Sequence, residues 1–230
     1  VSQVRAVATS GVRSASNGQM FIDSVKIATG IEIDVVDGDE EANLIYEGVK
    51  LSGAIKGKSL IMDIGGGSTE FIFCDEQGFY WKKSFDIGAA RLMQKFFKSD
   101  PINSTDQTNI QQHLEETLQE LIDFGKEFKA ITLIGSAGAF ETYSAMLNPS
   151  VDISKTATAG IDTAKYQELA AKLIKANHEE RSKMPNLIPL RVDMIVMAAM
   201  ITNYVLAALN FEKITLSTYD LKIGVLQKLK

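Results

Sequence analysis

The chain has 230 residues, 45% hydrophobic and 23% charged, with a formal net charge of −5. That length supports a sizeable core in one large or two small domains, and the acidic balance argues against a broad nucleic-acid surface, which is usually basic. Cys74 is the sole cysteine, so no intrachain disulfide can form, and a reducing, cytoplasmic setting fits.

The chain opens Val1-Ser2-Gln3-Val4, without an initiator Met, and Val4 to Thr9 predicts a strand. A helix follows from about Ser16 to Thr29, then a strand over Ile31 to Val36. Asp37-Gly38-Asp39 begins a helix running to about Leu51, with Asp39 a good N-cap. After a break at Gly53 to Lys58, three strand-like segments near 59–64, 69–75 and 79–86 are joined by glycine turns. Cys74, in an apolar strand, is read as a core residue. Gly88 to Phe97 predicts a short helix, and Thr105 to Phe128 a single long one with Ile110, Leu114, Leu118, Leu121 and Ile122 on one stripe. His113 falls on the opposite, polar face and reads as solvated. Ile131 to Ile134 predicts a strand, followed by the turn Gly135-Ser136-Ala137-Gly138 and a helix. The remainder reads as helical except for a strand at Lys213 to Ser217. Val192 to Leu209 is very apolar but short for a membrane span; it contains Thr202 and Asn203, so it reads as a buried helix. With His178 the one other histidine, a zinc site is not expected.

The most informative segment is Asp63-Ile64-Gly65-Gly66-Gly67-Ser68-Thr69-Glu70. A Rossmann or Walker phosphate loop opens a helix; this loop turns from strand to strand. A plain hairpin turn is the bland alternative, but a hairpin tip needs only two residues. Three glycines let the backbone approach an anion with its N–H groups turned inward. Asp63, at the strand end, is placed to hold a metal or polarise a water. Such a loop suggests a phosphate clamp of the actin-like superfamily.

Phosphoanhydride hydrolysis also needs a base. In Asp39-Glu40-Glu41-Ala42-Asn43-Leu44-Ile45, helical spacing puts Glu40 with Asn43, Leu44 and Glu47, and Glu41 with Leu44, Ile45 and Gly48. A carboxylate at the edge of an apolar face has a raised pKa, as a base requires, which favours Glu41. By spacing alone, however, acidic residues at a helix start are more often structural. Arg13, just past the first strand, lies where α/β proteins place ligands; an exposed arginine is an equal alternative.

Three blocks occur in order: Ala8-Thr9-Ser10 through Arg13 to Gly18, Gly38 to Val49, and Asp63 to Glu70. With Arg191-x-Asp193-x-Ile195 and the closing Leu216-Ser217 to Leu226, they resemble the exopolyphosphatase and guanosine pentaphosphate phosphatase family over essentially the whole chain. The resemblance implies an α/β, actin-like two-lobed fold with an interlobe active site. Residues 1–52 would be part of the first lobe, 53–218 the second, and 219–230 a helix packing back on the first. It further implies removal of terminal phosphate from inorganic polyphosphate or guanosine pentaphosphate with Mg²⁺, and homodimerisation, which the family often shows. Glu41 matches the family's general base, Glu70 and Asp63 its acidic residues that hold metal or orient water, Gly65, Gly66, Gly67 and Ser68 its phosphate loop, and Arg13 a phosphate-contacting arginine.

There are departures. The family's opening strand with Asp-x-Gly-Ser-Asn, the first phosphate loop, is absent from this sequence, so the first lobe reads as incomplete. Ala139 stands where a Thr is usual, and Ala198 where a Gly is usual. No histidine-aspartate domain follows, as in the family's short form. Two other readings therefore stand beside the polyphosphate hydrolase: a catalytically incomplete phosphate-binding module, and a sugar-kinase-like phosphotransferase.

Overall fold

The computed structural model describes residues 3–136 and 138–229; Val1, Ser2, Ala137 and Lys230 lie outside them. The elements run β1 (Ala6–Ala8), α1 (Ser10–Arg13), α2 (Gly18–Thr29), β2 (Ile33–Val35), α3 (Gly38–Ser52), β3 (Ser59–Ile64), β4 (Thr69–Cys74), β5 (Phe79–Phe85) and α4 (Ala89–Phe96). They continue α5 (Ser104–Thr117), α6 (Gln119–Phe128), β6 (Thr132–Ser136), α7 (Gly138–Leu147), β7 (Thr158–Ile161), α8 (Thr163–Lys175), α9 (His178–Ser182), α10 (Met194–Leu209), β8 (Lys213–Ser217) and α11 (Leu221–Gln227).

A six-stranded sheet of order β5-β4-β3-β6-β8-β7 forms the centre, and β1 and β2 form a separate parallel pair. Strands β3, β6 and β8 are mutually parallel, while β4, β5 and β7 pair antiparallel with their neighbours. Because side chains alternate across a strand, Leu60, Met62, Phe71, Phe73 and Leu133 enter a large core with the helices α4 to α8 and α10. Ile61, Ile72, Cys74 and Ile134 meet Ala42, Ile45, Tyr46 and Val49 of α3 on the other face. Those four α3 positions follow the i, i+3, i+4, i+7 spacing of one helical stripe. Helix α11 lies against α3: a Cβ on Gly48 would collide with the Asp220 carbonyl, and one on Gly224 with the Leu44 carbonyl.

Several expectations are corrected. The cap of α3 is Asp37, whose carboxylate accepts from Glu40 N at 2.8 Å, and Asp39 is already inside the helix. The segment 16–29 is shorter as a helix than its reading, α2 beginning at Gly18, and the single turn α1 precedes it. The segment 105–128 is two helices: Leu118, at φ −97° and ψ 11°, bends the chain so that all five stripe residues stay buried around the core. Strand β7 falls in a segment read as helical; Thr-Ala-Gly-Ile is a short edge strand whose pairing with β8 supplies what its propensity lacks. His113 is half-buried against the Phe96 ring, with centroids 5.1 Å apart, and is not simply solvated. Burial there, and then Lys95, lower its pKa. Cys74 is fully buried and its thiol is pushed up to about 12 by that burial. Helix α10 is largely buried in the core, and among the described residues no helix is long and apolar enough to cross a membrane.

Candidate active site

The period of the sheet places the acidic residues. Asp63 lies two positions beyond Ile61, Glu70 two before Ile72 and Ser136 two beyond Ile134, so all three share the face on which α3 packs. In register, Asp63 opposes Glu70 on β4 and Ser136 on β6, and Glu70 opposes Ser84 on β5. Ser136 Oγ donates to Asp63 at 2.8 Å, and Ser84 Oγ to Glu70 at 2.6 Å. Desolvation pushes Asp63 up to about 7, against the Ser136 hydrogen bond and helped by the charges of Asp220 and Glu41. Desolvation pushes Glu70, 1% exposed, up to about 8, with Glu41 next in importance.

The first turn of α3 sorts its three acidic residues. Asp39 pairs with Lys82 of β5 at 2.7 Å and Glu40 with Lys228 at 2.5 Å, both toward the outside. Glu41 is 6% exposed and turned inward, its carboxylate receiving Arg13 Nη1 at 3.3 Å. Its pKa is raised because desolvation outweighs the Arg13 guanidinium and the Thr9 hydroxyl. Arg13 Nη1 also donates to the Val36 carbonyl at 2.6 Å. The structure thus brings Arg13 to Glu41, while its Nε and Nη2 have no protein acceptor among the described residues.

The glycine loop is a four-residue turn closed by Gly65 N donating to Ser68 O at 3.0 Å. Its carbonyls are turned away from the acidic residues and onto α4: Gly65 O accepts from Ala89 N, Gly66 O from Arg91 N, and Gly67 O from Gly88 N. Arg91 Nε adds a 2.8 Å bond to Gly67 O. The N–H groups of Gly66, Gly67 and Ser68 are left without a protein acceptor among the described residues, the arrangement that makes a loop an anion site. Gly88 is required by this packing, since a Cβ there would collide with the backbone of Gly66 and Gly67.

Sequence reasoning did not single out Ser84 or Arg91. Both signals were present: Ser84 alternates with Lys82 in β5, and Arg91 sits in the first turn of a helix capped by a glycine. An apolar cavity of about 230 Å³ borders the loop, with Ile64, Gly65, Ala89, Arg191, Met194 and Ala198 in its wall. No group of three or more His, Cys, Asp or Glu residues among the described residues is arranged to hold a metal.

Comparison with known proteins places this geometry. The model of the Ppx/GppA phosphatase family matches residues 1–230. The crystal structure of an exopolyphosphatase from Cytophaga hutchinsonii superimposes with a TM-score of 0.95 at 35% identity, covering 100% of this chain and 75% of that one. The Aquifex aeolicus member of the Ppx/GppA family superimposes at 0.84 with 27% identity, covering 100% of this chain and 74% of that one. A bifunctional 3-dehydroquinate synthase/phosphatase of Fusobacterium nucleatum is 30% identical over 95% of this chain and 33% of its own length. A guanosine-5'-triphosphate,3'-diphosphate pyrophosphatase of Vibrio cholerae is 28% identical over 98% of this chain and 44% of its own. The chain therefore spans a third to under half of these two curated relatives. The fold is the α/β fold of these two crystal structures.

Proposed function

We propose, for a chain that belongs to the Ppx/GppA phosphatase family, that it releases terminal phosphate from inorganic polyphosphate. The observation that carries the reading is the convergence of Glu41, Asp63 and Glu70 on the face beside a glycine loop whose N–H groups are open. The terminal phosphoryl sits on the N–H groups of residues 66–68, with the free donors of Arg13 on its oxygens. Glu41, its pKa raised by burial, takes a proton from the attacking water. The water oxygen bonds to phosphorus, the bridging P–O bond breaks, and the shortened chain leaves with the electron pair. Glu70 orients the water from the opposite strand, its own position fixed by Ser84.

Mg²⁺ fits the donor set as one carboxylate with substrate phosphate oxygens, a common mode for this ion. Asp63, half-buried and raised to about 7 with acidic neighbours, is a carboxylate that a cation would stabilise in its charged form. When bound, the ion would supply charge neutralisation on the transferred group.

A second reading, removal of the 5′ terminal phosphate of guanosine pentaphosphate, is favoured by the apolar cavity bordering the loop. Its mostly apolar wall suits a nucleobase better than a polyanion. The two residues that depart from the family pattern, Ala139 and Ala198, both line this cavity.

The test is Mg²⁺-dependent phosphate release from polyphosphate and from guanosine pentaphosphate by the intact protein, with Glu41→Gln as control. Release that the substitution abolishes while binding survives supports the hydrolase. Binding without release by the wild-type protein would favour the phosphate-binding module instead.

A further inference from the structure

The hydroxyl of Ser10 has no role in the site so far. Ser10 is 3% exposed, and its Oγ is buried with no hydrogen-bond partner among the described residues. Leaving a buried hydroxyl unpaired is destabilising, and in a native structure such a group calls for a reason. Alanine would fill the same place without the penalty.

Where the hydroxyl sits suggests the reason. It packs on the glycine loop: a Cβ built on Gly67 would lie 2.5 Å from Ser10 Oγ and 3.2 Å from Ser10 Cβ. Only glycine at 67 lets the serine approach. Its chain neighbours are turned to the same site, the Thr9 hydroxyl facing Glu41 and Arg13 bonded to it. Thr9 and α1 therefore lay one hydroxyl and a guanidinium against Glu41 and a second hydroxyl against the loop. The loop itself presents N–H donors and turns its carbonyls onto α4. Ser10, as a hydroxyl with a free proton, is a donor matching those N–H groups in what it can bind.

We propose that Ser10 Oγ is a direct ligand of the terminal phosphoryl group, closing the anion site of the glycine loop from the β1–α1 side. The assignment rests on the hydrolase reading above. It makes Gly67 and Ser10 a matched pair, the one small so that the other can reach the phosphate.

The experiment compares wild type, Ser10→Ala and Ser10→Cys in the intact protein. Four quantities are read: affinity for inorganic tripolyphosphate by calorimetry, kcat and KM on polyphosphate, and the melting temperature without ligand. Loss of a neutral donor to a charged acceptor lowers affinity about ten- to a hundredfold. Both variants are expected to show that loss, since Cys fills the volume but is a weak donor. Their ligand-free melting temperatures should equal or exceed that of the wild type, because an unpaired hydroxyl has been removed. Unchanged affinity and KM in both variants overturn the proposal, and so does a loss of affinity accompanied by a drop in the ligand-free melting temperature, which is the signature of packing. A wild type that hydrolyses while both variants match it overturns this proposal alone; a wild type that neither binds nor hydrolyses overturns it together with the hydrolase reading.

Discussion

Asp63 and Glu70 are register partners across the β3–β4 hairpin, two carboxylates held opposite one another at the foot of the glycine loop. Desolvation pushes the two to about 7 and about 8, and on Glu70 the charges of Glu41 and then Asp63 add to it, as like charges on one sheet face do. Both folded values lie above the unfolded carboxylate range of about 4. The folded protein therefore binds more protons than the unfolded chain between that range and about 8, and stability must fall as pH rises through this window. With chelator present, the melting temperature is expected to be higher near the lower end of the window than near its upper end. Mg²⁺ with phosphate should recover part of the loss at the alkaline end. A melting temperature that stays flat or climbs across the window would show that the pair does not carry this strain.

Glu70→Gln separates stability from function at the same site. The amide oxygen still accepts from Ser84, but the buried charge facing Asp63 is gone. At about pH 8 the substitution should raise the melting temperature, by about 2–4 °C for each kcal/mol recovered in a domain of this size. Phosphate release should drop by about 100-fold or more, the usual weight of a group acting on the attacking water. Thermal melts and turnover on one preparation read both effects, and a Glu70→Gln variant that melts below the wild type would contradict the account.

Legibility followed the range of the forces involved. The glycine loop between two strands, the meander around it, the inward side of Glu41 and the burial of Cys74 and α10 were readable, because each follows from local period and propensity. Strand β7 was not, since Gly160 and Ala159 carry little β signal and the pairing partner, β8, lies more than 50 residues away. The single helix over 105–128 failed at Leu118 for the same kind of reason: helical spacing continues through the bend, and only the curvature of the core calls for it. Within the site, Glu41 could be chosen over Glu40 from the apolar face alone. That Asp39 and Glu40 are drawn outward by Lys82 and Lys228 could not, because Lys228 is 188 residues from Glu40. The partners of the carboxylates, Ser84 and Ser136, come from other strands, and which carboxylate each one serves is set by register.

Arg13 is expected to tune the base as well as touch substrate. Its Nη1 is 3.3 Å from Glu41, and its charge opposes the upward push of burial on that carboxylate. Arg13→Gln removes the opposing charge, so Glu41 titrates higher still. The acid limb of the pH profile of kcat should then move to higher pH by about one unit, within the usual range for losing an opposite charge at this distance. Affinity for tripolyphosphate should fall in parallel. An unmoved acid limb with normal affinity would leave Arg13 with a purely structural bond to the Val36 carbonyl.

Gly88→Ala tests whether the loop's carbonyls must be held by α4. The added Cβ meets the backbone of Gly66 and Gly67, which cannot yield as a flexible side chain would. The loop has to shift, and overpacking of this kind costs about 1–3 kcal/mol. Loss of tripolyphosphate binding larger than the loss of stability is expected, since the same shift turns the N–H groups of residues 66–68. Equal affinity in a stably folded variant would mean that those N–H groups do not bind the phosphate.

The crossing of α3 and α11 is a lever on Glu41 from a distance. Gly48 and Gly224 bring the two backbones together, and Leu44 and Gly48 lie on the same stripe of α3 as Glu41. A Cβ at 224 would collide with the Leu44 carbonyl, less than one turn below the carboxylate. Gly224→Ala should therefore push α3 along the sheet, at about 1–3 kcal/mol in stability. A displaced base is felt in catalysis more than in binding, because reaction geometry is sensitive to shifts well under an ångström across. kcat is expected to fall about tenfold or more with tripolyphosphate affinity nearly unchanged, whereas Gly78→Ala, where an added Cβ meets nothing within 4 Å, should alter neither. If Gly224→Ala weakens binding and turnover equally, α11 supports the whole lobe and not the position of Glu41.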